Sequence, residues 1–435
     1  MRVPSPTGVP NLASGVASIA PGPASMGRTC FVTTSGGVKC LTGADSSPAV
    51  FAGLTSGVSS VAVGQSHACL LTTSGGVQCW GSNGAGQLGD GTHTGSHNTP
   101  VGVLGLSSDV AAIAVGAGHS CALMTVGAVK CWGDNTYGKL GIGTNVGPET
   151  CPGFDPFSCS TTPVDVTGMA NDAVAISVGA NHACVLTNTD AIRCWGMNYF
   201  GQLGDGSSTD RYSPVGVTGL ASEISQVSVG GHHSCALTVA GAVMCWGFNA
   251  GGELGDGTQV ARLTPGGVTG LSAGIAALSM GANHSCAKEI SGGVACWGEN
   301  YDGQLGYGSI LGPDMCGPRN PCAKTPIDVV GLENGVAGLT LNGDHSCIVN
   351  NAGGVECWGG GVLGLGTTYS IVPLDVGVEA KPPPTPTPIP TATPDAVGGV
   401  AFDPPAHSDS SPWLVALPLA AFAFGAGAFA YRRAR

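Results

Sequence analysis

The chain has 435 residues, 74 of them glycine, with 10% charged residues and a net charge of −12. Neutralising a phosphate backbone takes clustered Lys and Arg, and three of the 15 basic residues here are Arg432, Arg433 and Arg435. This balance argues against a nucleic-acid partner, and the length suits two or three ordinary domains or one large repetitive one.

The opening stretch, MRVPSPTGVPNLASGVASIA, has no apolar signal-peptide core and Arg2 as its only charge. Its Pro6, Val9 and Leu12 instead match the register of strands further along. From there cysteines recur in pairs ten positions apart: Cys30/Cys40, Cys69/Cys79, Cys121/Cys131, Cys184/Cys194, Cys235/Cys245, Cys286/Cys296 and Cys347/Cys357. The remaining four of the 18 form two closer pairs, Cys151/Cys159 and Cys316/Cys322.

If the cysteines of a pair face each other across a β-hairpin, pairing continues inward to a three-residue loop, Thr125–Val126–Gly127 in the third unit. The last residue of such a loop takes a left-handed conformation, which Gly adopts freely and Asp tolerates. Gly36, Gly75, Gly127, Gly241, Gly292 and Gly353 occupy that place, and Asp190 is the exception. Around each hairpin lie a Pro-x-x-Val strand, an apolar run, and a Trp-Gly step into a glycine-rich loop such as WGMNYFGQLGDG. Short strands at this spacing predict an all-β fold, a seven-bladed β-propeller of four-stranded blades over residues 1–378, with units starting near 6, 48, 100, 163, 214, 265 and 326. An eighth Pro-led strand, Pro373 to Val376, leaves open whether it or the Pro6 strand closes the ring. Unit 1 is degenerate, with Arg28 in place of the repeated His and Leu41 in place of the Trp.

Even cysteine parity and opposed placement predict nine disulfides. Zinc prefers converging ligands at closer spacings. Two insertions, residues 145–163 and 310–326, interrupt units three and six at the same point of the repeat, and each carries its own cysteine pair. They are candidate ligand loops, with Phe154, Asp155, Phe157, Arg319 and Asn320 as candidate contacts. After residue 378 a Pro/Thr-rich spacer (379–411) leads to an apolar stretch (412–431) and a basic tail (432–435). This predicts a disordered linker, a single transmembrane helix and a cytoplasmic end.

No cofactor is expected. GAGQLG, Gly84 to Gly89, matches the dinucleotide fingerprint Gly-x-Gly-x-x-Gly but leads into DGTHTGS rather than a helix. The repeated histidines (His67, His119, His182, His233, His284, His345) cannot all serve one centre, and a hydrogen bond within each blade is expected of them. The repeated tryptophans (Trp80, Trp132, Trp195, Trp246, Trp297, Trp358) are expected to pack between blades. His93 with His97, and the loop carboxylates Asp90, Asp205 and Asp256, lack the further ligands or the spacing that a metal site needs. No nucleophile elbow or paired catalytic carboxylates can be read.

With GQLGDGT, HSCAL and CWG in place, the chain resembles the regulator of chromosome condensation repeat family over about residues 6 to 378. The resemblance implies a seven-bladed propeller. The family's eukaryotic founder is a nuclear guanine-nucleotide exchange factor, while other members are bacterial, secreted and non-enzymatic, including an inhibitor that caps β-lactamases. The cysteine pairs, the acidity and the C-terminal segment depart from the founder. The expectation is a monomeric, bacterial-type surface protein without enzyme activity, held in the cell membrane by its single C-terminal helix. Its propeller, outside the cell, would bind an extracellular protein or glycan. A signal peptide upstream of this sequence is part of that expectation. The alternatives are a cytoplasmic exchange factor and an inhibitor of a secreted enzyme.

Overall fold

The structure, a computed structural model, describes residues 15–22, 28–42, 49–50, 54–152, 156–220, 223–318, 320–360 and 369–375. The Pro6 strand, Phe154, Asp155, Arg319, the linker, the apolar stretch 412–431 and the basic tail lie outside them. Among the described residues no helix is long and apolar enough to cross a membrane.

Seven antiparallel sheets follow one another along the chain, spanning residues 16–50, 58–102, 110–165, 173–216, 224–267, 275–328 and 336–375. Each is one blade, built from an inner, a second, a third and an outer strand. In blade 2 these are Val58–Val63, His67–Thr72, Val77–Ser82 and Ser96–Gly102. Inner strands such as Val110–Val115 (VAAIAV) are buried at every position but one, because a blade is covered on both faces by its neighbours. Prolines occupy the outer strands, where the missing N–H faces no further strand.

The hairpins form in the expected register. Cys121 opposes Cys131 and Leu123 opposes Val129. The Met124 amide then bonds the Ala128 carbonyl at 2.8 Å, closing a three-residue loop with Gly127 at φ 85°. Asp190 takes φ 57° at the equivalent place.

All nine expected disulfides are present. Seven join the second and third strands of a blade: Cys30–Cys40, Cys69–Cys79, Cys121–Cys131, Cys184–Cys194, Cys235–Cys245, Cys286–Cys296 and Cys347–Cys357. The other two, Cys151–Cys159 and Cys316–Cys322, close the insertions. The core is divided into clusters between blades. One joins Cys69, Cys79, Leu71 and Val77 of blade 2 to Ile113 and Trp132 of blade 3.

The phase of the repeat differs from the expected units. The Pro-led strand is the last strand of a blade rather than the first, so a unit read from proline to proline straddles two sheets. Of the two strands offered for closing the ring, the Pro373 one is among the described residues. Tyr369–Asp375, which contains Pro373, is the outer strand of blade 7 and pairs with Val355–Gly360. Among the described residues no sheet mixes the two chain ends. Blades 7 and 1 meet by packing, with Val16, Ile19 and Phe31 against Val349, Val355 and the Cys347–Cys357 bridge. The Asn342 side-chain amide donates across the seam to the Pro21 and Val63 carbonyls at 2.8 and 2.7 Å.

The two insertions are hairpins that add a fifth strand to the outside of blades 3 and 6. Glu149–Cys151 pairs with the start of Phe157–Asp165, and Asp314–Met315 with the start of Pro321–Asp328.

Candidate functional site

The repeated His and Trp lie at the seams. His67 Nε2 meets Ser120 Oγ of the next blade at 2.7 Å, and His182, His233 and His284 reach Ser234, Ser285 and Ser346 at 2.9 Å each. The expected bond within a blade is therefore a bond between blades. Each Ser120-type hydroxyl then donates to a carbonyl of the preceding blade's glycine-rich loop, as Ser120 does to Gln87 O at 3.1 Å. The Trp132 indole N–H donates to the same carbonyl at 2.9 Å, so tryptophan both packs and bonds across the seam. Burial holds these imidazoles neutral, with His67, His233 and His284 pushed down to about 3 and His345 to about 4. They serve structure.

The cysteines do so too, and none of them lines the cavity on the axis. Cys40, Cys194, Cys245 and Cys296 sit on third strands, each directly opposite its partner Cys30, Cys184, Cys235 or Cys286. All eight are buried. Cys159 and Cys322 hold equivalent places in the two insertions. Each is buried on an outer strand, Cys159 opposite Asp134 and Glu149, and Cys322 opposite Glu299 and Asp314. Cys151, the partner of Cys159, is buried, whereas Cys316, the partner of Cys322, is half-buried. The repeated bridges tie strand to strand, the other two close the insertion hairpins, and none offers a ligand a free thiol.

On the axis, the turns between inner and second strands converge. A Cβ built on Gly230 would lie 2.7 Å from the Gly281 carbonyl oxygen, and one on Gly281 would lie 2.8 Å from that of Gly343. Gly64, Gly116 and Gly179 meet the next blade in the same way. The cavity that these turns enclose is about 80 Å³. Cofactor and drug-sized sites run to roughly 300–1,000 Å³, so this one has room only for water-sized occupants.

Around the cavity spreads a loop face, formed by those turns and by the glycine-rich loops between third and outer strands. Here the blades cease to be alike. Where blade 2 has Gly84 and Ala85, blade 4 has Tyr199 and Phe200. Phe248 and His232 stand in blade 5 where blade 2 has Ser82 and Ser66. Together they form an aromatic cluster, with Phe200 centred 4.9 Å from Tyr199, 4.8 Å from Phe248 and 5.4 Å from His232. Tyr199 is 70% exposed. Burial lowers the His232 pKa, so the ring is neutral at neutral pH.

Next around the ring come carboxylates: Glu299 and Asp302 in blade 6, and Asp344 in blade 7. Burial, and then the nearby Asp302 and Glu299, raise the Asp344 pKa. Beneath them, Glu253 fills the place held by Gln87, Gln202 and Gln304 in other blades. It is fully buried, its carboxyl accepts the Gly251 amide at 2.8 Å, and Oε1 has no partner among the described residues. Burial pushes its pKa up to about 8.

Of the residues singled out in the insertions, Phe157 is half-buried on the outer strand of blade 3, opposite Cys151. Asn320 donates to Glu299 Oε1 at 2.8 Å, tying its hairpin to the third strand of blade 6. The structure thus joins one predicted contact to the carboxylate arc. The loop carboxylates are engaged within their own loops: Asp90 accepts from Asn83 and Thr92, and Asp205 from Asn198, Ser207 and Arg211. His97 lies 3.5 Å from Asp90. The aromatic cluster and Glu253 were not singled out from the sequence. The signal that finds them is departure from the repeat at loop positions, since the repeat itself encodes the scaffold.

A ring of seven stapled blades, with an aromatic cluster and a carboxylate arc on its loop face, defines a repeat propeller. The chain belongs to the RCC1-like domain family, whose pattern it matches over residues 25–383. It is 29% identical over 296 residues to the ultraviolet-B receptor UVR8 of Arabidopsis thaliana, covering 66% of this chain and 62% of that protein. It is 34% identical over 213 residues to the probable E3 ubiquitin-protein ligase HERC4 of Homo sapiens, covering 46% of this chain but 19% of that protein. The chain therefore spans less than two thirds of these curated relatives. The solved structure of Prp20p from Saccharomyces cerevisiae shares the fold, with a TM-score of 0.66, 20% identity and coverage of 86% and 88% of the two chains.

Proposed function

We propose that this chain is a non-catalytic binding module whose propeller offers its loop face to a macromolecular partner in an oxidising compartment, carried at a cell surface by the segment 412–431. The observation that supports the compartment is the set of nine disulfides, which a reducing cytosol does not sustain. Binding is supported by the relatives. UVR8 is described as a receptor, and Prp20p is described with binding properties to Gsp1p and histones. A common propeller serving recognition is the economical link among them. Ligase activity is not carried over, because the match covers 19% of HERC4.

The test is a thiol count on the protein taken from its native cells, acid-quenched and alkylated before lysis. All 18 cysteines resisting alkylation until reduction is the expected result. Mostly free thiols would overturn the compartment and turn attention to cytosolic exchange activity, the function of the family's founder.

A further inference from the structure

We infer that the arc of the loop face from blade 4 to blade 7 docks a basic segment of a partner protein, its lysine or arginine side chains lying over Tyr199, Phe200 and Phe248 and against Glu299, Asp302 and Asp344. This rests on the binding-module reading and adds the chemistry of the partner.

The carboxylates carry the first part of the argument. Four acidic groups elsewhere on the loops and insertions come with their own cations: Asp134 with Lys139 at 2.6 Å, Asp205 with Arg211 at 2.7 Å, Asp256 with Arg262 at 3.5 Å, and Asp314 with Lys324 at 3.3 Å. Glu299, Asp302 and Asp344 make no ion pair with any described residue. They are also close enough to repel one another, which raises the Asp344 pKa. A set of like charges left without a counter-charge is completed by a cation from outside.

Glu253 is a second, independent pointer. Three other blades place a glutamine there; here a buried carboxyl takes that place and keeps an unpartnered Oε1. It approaches Glu299 across Gly251: a Cβ on that glycine would lie 2.7 Å from Glu253 Oε1 and 2.5 Å from Glu299 Cγ. The unpartnered atom therefore faces the arc. Among the described residues no group of three or more His, Cys, Asp or Glu is placed to hold a metal ion, so a metal is not the cation indicated.

The aromatic cluster is the third. Ring faces attract ammonium and guanidinium groups, and exposed aromatic patches mark interaction surfaces. Neutral His232 brings no competing charge to it. Rings and carboxylates side by side over four blades suit an extended segment with several basic side chains better than a single small cation.

The experiment uses the oxidised full chain and fluorescence anisotropy. The probe is a fluorescein-labelled lysine–glycine repeat peptide, with a glutamate–glycine repeat as control and a soluble dextran oligosaccharide as the sugar competitor. The lysine peptide is expected to bind and to weaken with salt, while the glutamate peptide does not bind. Replacing Glu299→Gln, Asp302→Asn and Asp344→Asn together should weaken binding roughly tenfold, the loss of one strong contact, and flatten its salt dependence. Phe200→Ala with Phe248→Ala should weaken it by a similar factor. If that variant does not fold, the isosteric carboxamide variant decides alone.

The control carries the same charge change on the opposite, hairpin face, at Asp109→Asn, Glu289→Gln and Glu333→Gln, and should bind as the parent does. Equal loss in this control would overturn the proposal, since net charge alone would then drive binding. So would equal binding of the glutamate peptide, failure of the lysine peptide to bind, or its displacement by the oligosaccharide. The two readings fail separately. Peptide binding by a protein whose cellular thiols are free removes the compartment and leaves the surface, whereas a fully oxidised protein that ignores the peptide removes the surface alone.

Discussion

His67, His182, His233 and His284 each find a serine on the next blade, but His119 does not. Its counterpart on blade 4 is Ala183, and neither imidazole nitrogen of His119 has a partner among the described residues. A buried polar atom without a partner forgoes a stabilising bond and keeps its desolvation cost. Ala183→Ser should restore the bond, because serine occupies the same register beside those four histidines. Its hydroxyl would also face the Lys139 carbonyl, which already accepts the Trp195 indole N–H at 2.9 Å. The expected gain is about 1 kcal/mol, read as a higher urea midpoint with an unchanged slope. A midpoint that stays or falls would mean that the packed seam has no room for the hydroxyl. The axial glycines act in the opposite sense, for there the neighbouring carbonyl leaves no space for even a methyl group.

At the scale of the strand pair, the disulfides join cysteines whose Cα atoms lie 4.0–4.1 Å apart in every repeated hairpin. These sulfurs are also core atoms, since Cys121 and Cys131 are fully buried against blade 4 residues such as Ile176 and Trp195. Replacing both by alanine removes a short-loop crosslink and some packing, an expected loss of about 2–4 kcal/mol in equilibrium denaturation. A loss well under 1 kcal/mol would show that the hairpin holds its shape without the staple. Hairpin register was fully legible in the sequence, because cysteine spacing, the three-residue loop and the left-handed Gly or Asp constrain one another. Blade phase was not. In a tandem repeat each Pro-led strand has the same flanks on both sides, and periodicity contains no boundary; hydrogen bonding alone assigns the strand. The histidine bond was misplaced for the same reason, since a partner one repeat away has the same local sequence as a partner within the blade. The loop face was legible only as deviation. Tyr199, Phe248 and Glu253 look ordinary until each is compared with its equivalents.

For the molecule as a whole, six buried neutral histidines set the response to acid. An unfolded chain takes up protons on these groups below pH 6.5, whereas the native seams resist doing so down to about 3 or 4 at His67, His233, His284 and His345. The unfolded state then binds more protons, so stability is held above pH 6.5 and falls as pH drops through that window. Each histidine contributes up to about 1.4 kcal/mol per pH unit. Melting temperature should therefore decline from near pH 6.5, the six histidines outweighing Glu253, whose pKa of about 8 favours the folded state as pH falls. A profile flat to pH 4.5 would show that the imidazoles are protonated without opening the seams.

The contiguity of the blades has a consequence for how such a ring comes to exist. A propeller that latches by lending a strand from one end of the chain to the other must wait for its last residues. Here, among the described residues, every sheet is built from one span of sequence, and blades 7 and 1 meet through side chains. A chain emerging end first, from a ribosome or through a membrane pore, can finish and oxidise one blade while the next is still inside. Its cysteines find partners no more than ten residues away, before distant thiols have appeared to compete. Assembly is thus a matter of timing, with the direction of emergence setting the order and the final blade docking against a first one already made.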